Sequence, residues 1–395
     1  MILFFTKRCR YARALTSLSA CFALFCCFVS FAKVWELLNP RHVCFYEKVG
    51  TEKLFSWGHT DQLPTAANPR SGFHNGLSTT SPGAAEPGTN QLSIDQLLDP
   101  WSDIVENTTL LSSYCSELIF YSVLVLSRDA EPRIKEAKVV KPNIKTPQCA
   151  ILLALELETS SRPGLNQNGR PSSVISAYAK NGWNVVSTKT WFSEGLARRV
   201  SRYPKLQPQV FFPHTRQVLF SDVKYLHKFN SLDAYAVTAT LLAGSQLGVV
   251  QHPKGYSLLS ERDNILSQLR KRPSIVDDVE LMDAQVARLS TSIPLVHQTQ
   301  FLVDGGLHAR VIHGVSNSSS FDGAWMSEYI HGCDRDQIAF FGAAYELRLR
   351  RESMIPCSNF NRAGVYRSER IRNFTLAIHC GIDSVLGCTR SPGIS

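Results

Sequence analysis

Apolar positions along this chain follow two rhythms. Leu118-Ile119-Phe120-Tyr121-Ser122-Val123-Leu124-Val125-Leu126 is almost unbroken, the pattern of a strand buried on both faces. Ala150-Ile151-Leu152-Leu153-Ala154-Leu155 is a second such run. Asn181-Gly182 turns the chain into Trp183-Asn184-Val185-Val186, a third short strand. Gln217-Val218-Leu219-Phe220 is a fourth, ending on Ser221-Asp222-Val223-Lys224. Helical spacing alternates with these runs. Residues 198–205 begin a basic helix that Pro208 limits, residues 232–242 read as a helix, and Val279, Met282, Val286 and Leu289 recur at helical intervals. Further on, Cys333-Asp334-Arg335-Asp336-Gln337 leads into a stripe of Ile338, Phe341, Tyr345 and Leu349. Asp334 is placed to cap that helix, which puts Arg335, Asp336 and Gln337 in its first turn, where open backbone N–H groups favour anions. Buried strands alternating with helices predict an α/β domain with a mostly parallel sheet flanked by helices.

The N-terminal portion reads differently. Residues 14–32 carry no charge and are long enough to span a bilayer core. Lys7, Arg8, Arg10 and Arg13 precede them, so the positive-inside rule places residues 1–13 in the cytosol and the body in the lumen. Ser30-Phe31-Ala32 is a passable signal-peptidase site, which makes a cleaved signal peptide the rival to an uncleaved type II anchor. From about residue 51 to residue 99 the chain is rich in Pro, Gly, Ser, Thr and Asn, too polar to offset chain entropy by burial. The expected layout is therefore a tail (1–13), a transmembrane anchor (14–32), a disordered lumenal stem (33–109) and a globular domain (110–395).

Three N-x-Ser/Thr sequons, at Asn107, Asn317 and Asn373, agree with a lumenal body. So do seven cysteines beyond the anchor, of which Cys333, Cys357, Cys380 and Cys388 lie close enough in sequence to staple the C-terminal region. The net charge of +9 is concentrated before the anchor, and without those four basic residues it falls to +5. With no zinc-finger spacing and no basic–aromatic ladder, nucleic acid is not an expected partner. Gly-x-Ser-x-Gly, P-loop, His-Glu-x-x-His and dinucleotide glycine fingerprints are absent, which argues against the enzyme classes they mark.

Candidate chemistry starts at Asp222. It follows an apolar strand, and ligands of open α/β sheets bind beyond the C-terminal strand ends. A carboxylate there is suited to hold Mg²⁺ or Mn²⁺ against nucleotide phosphates, with Lys224 as a point charge beside it. The same aspartate also suits a plain turn. In an Asp-x-Asp pattern Lys224 stands where the second acid belongs. His252 of His252-Pro253-Lys254 suits a phosphate or a sugar hydroxyl, or a structural place. Asp304-Gly305-Gly306 reads as a turn. Trp325 and Glu328 share a helical face that suits a sugar cleft, and equally a core tryptophan beside a solvated acid.

Taken in order, these pieces resemble the glycosyltransferase-like family of plant seed-mucilage and pollen-turgor proteins, whose members look like the nucleotide-sugar-dependent GT-A fold. The resemblance runs from about Cys149 to Tyr345, roughly half the chain. It is carried by Asn181-Gly182-Trp183-Asn184-Val185-Val186, by Arg202-Tyr203-Pro204-Lys205-Leu206-Gln207-Pro208, and by the strand ending in Asp222. His252-Pro253 with Glu261, Trp325, Glu328 and Arg335-Asp336-Gln337-Ile338-Ala339-Phe340 complete it. Val223 stands where the family has glycine, marking a divergent member. The resemblance implies a GT-A-like (Rossmann-like) fold and a Golgi type II membrane glycosyltransferase, moving a sugar from a nucleotide-sugar donor to a glycan or glycoconjugate acceptor. It implies Asp222 as ligand of a divalent cation, with Lys205, Lys224, His252, Trp325 and Glu328 binding substrate. Asp336 becomes the base or acceptor contact, with Arg335 orienting it or pairing with the leaving phosphate and Gln337 counted with them. Assignment of ceramide hydrolysis to some relatives keeps an amidase as an alternative, and a non-catalytic protein retaining only the fold is a third.

Overall fold

A computed structural model of the chain describes residues 93–126, 139–157, 173–190, 199–230, 232–252, 257–271, 279–293, 301–312, 318–355 and 364–390. The expected tail, anchor and most of the stem lie outside these residues. Among the described residues no helix is long and apolar enough to cross a membrane.

The four expected strands are present as β1 (Leu118–Leu126), β2 (Ala150–Leu157), β3 (Asn184–Thr190) and β4 (Gln217–Ser221). Five more follow: β5 (Leu247–Gln251), β6 (Val303–Val311), β7 (Leu349–Ser353), β8 (Gly364–Ser368) and β9 (Thr375–His379). Helices α1 (Ile94–Leu98) and α2 (Ser102–Tyr114) precede the sheet, and α3 (Ser173–Lys180) joins β2 to β3. Short helices α4 (Tyr203–Leu206) and α5 (Pro208–Phe211) lead into β4. Then come α6 (Val223–Leu226), α7 (Ala234–Leu242), α8 (Leu258–Lys271) and α9 (Val279–Ser292). Last are α10 (Ser318–Ile330), α11 (Asp336–Glu346) and α12 (Ile382–Arg390).

All nine strands form one sheet in the order β3-β2-β1-β4-β6-β5-β9-β8-β7. The half from β3 to β4 is parallel, as its apolar runs predict. Beyond β4 the sheet departs from expectation and is mixed: β6 runs antiparallel to both β4 and β5, β9 is parallel to β5, and β7–β9 form an antiparallel ribbon. The chain adds β2 and β3 on one side of β1, then returns to lay β4 on the other. That reversal makes β1/β4 a topological switch point, the place where doubly wound sheets take ligands. Ser122 Oγ ties the two strands there by donating to the Ser221 carbonyl at 2.7 Å.

Two boundaries differ from the sequence reading. Helical structure already occupies residues 94–109 of the span expected as stem. Ser93 and Gln96 form a capping box on α1, and the buried Trp101 donates its Nε1–H to the Val200 carbonyl at 3.1 Å while meeting Phe211 edge-on. The polar composition around this anchor had concealed it. At α11, Arg335 rather than Asp334 is the N-cap residue, without a side-chain cap. The Asp334 carboxylate is instead paired with Arg199. Ile338 and Phe341 are buried as expected, but Tyr345 is exposed and Leu349 already belongs to β7.

Disulfide chemistry is partly as expected. Cys115 and Cys149 join the entrances of β1 and β2, and Cys380 is also disulfide-bonded. Cys333 is not a staple but a buried thiol, donating to Gln285 Oε1 at 3.4 Å.

Candidate functional site

The site grows from an irregularity in β6. Successive residues Val249 and Val250 of β5 pair with His308 and Asp304, so Gly305, Gly306 and Leu307 bulge from the ladder. Bulges of this kind re-aim side chains beside functional sites. Here the bulge sits against the C-terminal end of β4, where the Asp222 N–H donates to the Gly306 carbonyl at 2.7 Å. Both glycines are required by close approach. A Cβ on Gly305 would fall 2.4 Å from Asp336 Oδ2 and 2.5 Å from Lys205 Nζ. One on Gly306 would fall 2.5 Å from the Tyr225 ring, 2.8 Å from Asp222 Oδ2 and 3.0 Å from Asp304 Oδ1. Asp304-Gly305-Gly306 is therefore not the simple turn the sequence suggested. It is the floor of the site.

Around that floor stand three carboxylates and three cations. Lys205 of α4 pairs with Asp336 of α11, and Arg202 lies 3.9 Å from the same carboxylate. Lys224 of α6 lies 3.5 Å from Asp222 and 4.0 Å from Asp304. Tyr225 donates its hydroxyl to Asp304 Oδ2, while Asp304 Oδ1 accepts the Gly306 N–H at 2.9 Å. Exposure differs widely among the six. The Lys224 side chain is 59% exposed and Arg202 25%, against 24% for Asp222, 10% for Asp304 and 2% for Asp336, with Lys205 at 2%. Lys224 opens farthest to solvent, so an arriving ligand meets positive charge first.

Protonation follows from these contacts. Burial alone would raise the Asp336 carboxyl, but Lys205 and Arg202 more than offset it and hold the group well below the usual carboxylate range. Burial works against the Lys224 charge, yet Asp222 and Asp304 prevail and raise its pKa. Burial, with the bond to Asp304, pushes the Tyr225 phenol up to about 12. Beneath the floor His308 of β6 stacks on Phe220 at 4.9 Å, and burial, Arg310 and Lys205 keep its imidazole neutral. Arg310 donates to the Leu206 and Lys205 carbonyls at 3.1 Å each and pairs with Asp322. This fork fixes α4, and so Lys205, onto the sheet.

Asp222, Lys224, Lys205 and Asp336 are thus brought together as the sequence suggested, with Asp336 and Lys205 in altered parts. Asp336 is buried in an ion pair and held too acidic for a general base at neutral pH. Lys205 answers Asp336 rather than open solvent. Arg335 and Gln337 flank Asp336 at the start of α11, and His252 follows β5 at the same sheet edge, its N–H bonded to the Leu302 carbonyl at 2.9 Å. Trp325 does not line a cleft. It is fully buried, donating to the Asp336 carbonyl at 2.9 Å and packing edge-on to Phe340 at 4.9 Å. Glu328 faces Arg288 and Gln285 of α9 and contacts none of the six charged groups through a bond or ion pair described above. Sequence reasoning missed Asp304, Arg202 and Tyr225. The signal for the first was an acid followed by two glycines inside an apolar segment, where a missing Cβ admits a neighbour.

The divalent cation expected at Asp222 can be tested against this arrangement. Asp304 does supply the second carboxylate that the Asp-x-Asp spacing lacked. However, both its oxygens already accept hydrogen bonds, and the Lys224 ammonium occupies the approach to both acids. Mg²⁺ needs oxygen ligands at about 2.0–2.1 Å in near-octahedral geometry, and an ammonium 3.5 Å from Asp222 and 4.0 Å from Asp304 repels an ion placed between them. Among the described residues no group of three or more His, Cys, Asp or Glu has metal-binding geometry. The side chains as arranged do not fit a divalent ion.

No protein-family model, no curated protein and no solved structure matches the chain.

Proposed function

We propose that the protein is a GT-A-like (Rossmann-like) glycosyltransferase of the Golgi lumen, a type II membrane protein that transfers a sugar from a nucleotide-sugar donor to a glycan or glycoconjugate acceptor. One observation carries the reading: a floor of two glycines at the β1/β4 switch point, ringed by six charged groups of which the most exposed is a lysine. That arrangement suits a diphosphate flanked by a polyhydroxylated ring. Lys224 and Arg202 offset the charge that builds on the leaving phosphate, while Asp222, the most open acid, takes the proton of the acceptor hydroxyl. Asp336 holds Lys205 and Arg202 in place. The Cys115–Cys149 disulfide supports an oxidising compartment. Asp304 supplies the second acid near Asp222 whose want favoured a fold-only, non-catalytic reading. The test is nucleotide release from a panel of UDP- and GDP-sugars. Wild type should hydrolyse at least one donor slowly, with Asp222→Asn slower by about 100-fold or more. Silence with every donor, or equal rates in both proteins, would refute it.

A further inference from the structure

We infer that Lys224 is the resident cation of this site and that the donor's diphosphate is bound without a divalent metal ion. The inference deepens the glycosyltransferase reading and rests on it for the identity of the ligand. It does not rest on it for the state of the two acids.

Lys224 occupies the third position of Asp222-Val223-Lys224, where Asp-x-Asp would place a second metal-binding carboxylate. Its ammonium is held from three sides. Asp222 Oδ2 lies at 3.5 Å, Asp304 Oδ1 at 4.0 Å and the Tyr225 ring centroid at 4.5 Å. The ring and the second acid matter, because Tyr225 is itself pinned by its hydroxyl to Asp304. A divalent ion between the two acids would have to displace the ammonium and give up the bonds that now satisfy Asp304. Charge balance points the same way. Asp222, Asp304 and Asp336 are matched by Lys224, Lys205 and Arg202, so an ion of charge +2 entering alone leaves the cluster uncompensated. A diphosphate approaching from solvent meets the most exposed member first, and a lysine ammonium is a compact donor well suited to phosphate oxygens. The lysine thus does two things a metal would do, neutralising the acids behind it and the phosphates in front.

The test uses the full-length chain in detergent, as wild type, Lys224→Met and Lys224→Asp. Because this side chain is mostly exposed, neither substitution removes core packing, and circular dichroism checks the fold. Mn²⁺ alone is titrated by its electron paramagnetic resonance signal. UDP and GDP are titrated calorimetrically in EDTA and in Mn²⁺. Wild type should leave the Mn²⁺ signal unchanged and bind at least one nucleotide equally well in both buffers. Lys224→Met should bind that nucleotide about 10- to 100-fold more weakly in EDTA, the value of one charge-assisted hydrogen bond. Lys224→Asp should take up Mn²⁺ on its own and bind nucleotide only with it. Wild type that needs Mn²⁺ for nucleotide, or takes up Mn²⁺ as tightly as Lys224→Asp, overturns the inference and leaves the glycosyltransferase reading standing. If no nucleotide binds wild type in either buffer, the glycosyltransferase reading fails and diphosphate binding falls with it. The Mn²⁺ titration alone then decides whether Lys224 holds the two acids.

Discussion

Removing Asp336 should expose how far the buried ion pair under the site supports the fold. Lys205 and Asp336 are each 2% exposed, so Asp336→Asn leaves an ammonium in the interior with one neutral amide and its ring contact to Phe220, 5.5 Å away. Breaking one side of a buried pair costs about 3–5 kcal/mol. At about 2–4 °C per kcal/mol for a domain of this order, the melting temperature should fall by roughly 6–20 °C. The double variant Lys205→Met/Asp336→Leu removes both charges at similar volume and should recover most of that loss, giving a coupling of about 2 kcal/mol or more. Because the folded carboxyl titrates below its ordinary value of 3.8, the stabilisation is whole above about pH 5 and fades as pH falls through 3.8 and below. Melting curves of wild type, Asp336→Asn, Lys205→Met, Asp336→Leu and the double variant between pH 3 and pH 7 measure all of this. Asp336→Asn within about 1 kcal/mol of wild type at pH 7, or a double variant as unstable as the two singles together, would refute the assignment.

Other parts of the molecule make separate predictions. Burial pushes Asp322 up to about 6 against the pull of Arg310, so native stability should decline as pH rises from about 4 to about 6. Asp322→Asn should flatten that slope in urea titrations, whatever it does to absolute stability. Replacing Cys115 and Cys149 by serine opens a loop spanning 34 residues and should cost about 4 kcal/mol by chain entropy, read as a shift of the urea midpoint. Gly306→Ala forces a methyl into the Tyr225 ring and should cost about 1–3 kcal/mol of stability together with nucleotide affinity. Unchanged melting and binding would show that the floor is looser than its contacts imply.

The parallel half of the sheet was legible because strands buried on both faces need no alternation; a run such as Leu118 to Leu126 can hardly be anything else. β6 was not legible, although it is buried along almost its whole length. Val303-Asp304-Gly305-Gly306-Leu307-His308-Ala309-Arg310-Val311 carries two glycines and three ionisable side chains, the composition of a loop. Each of these departures has a neighbour in the structure: Tyr225 for Asp304 and Gly306, Asp336 and Lys205 for Gly305, Phe220 for His308 and Asp322 for Arg310. The strand pattern is overwritten where these contacts are made. β7 escaped for the opposite reason, since an exposed edge rich in arginine shows no apolar rhythm. Asp222, Lys224 and Asp336 could be found because each sits at the end of a recognisable element. Their mutual proximity depends on β6 entering antiparallel between β4 and β5, which no local pattern announces.

The position of β9 bears on how the chain is made. β9 is the last strand in sequence, yet it lies within the sheet, between β5 and β8. During vectorial synthesis Leu247 must therefore wait for Leu376 before its strand is closed. Until then β5 presents an open row of amides to any neighbouring nascent chain, the period when strand-edge aggregation is most dangerous. Cys380 follows directly after β9 and is disulfide-bonded. Completion of the sheet thus falls to residues that are among the last of it to be synthesised.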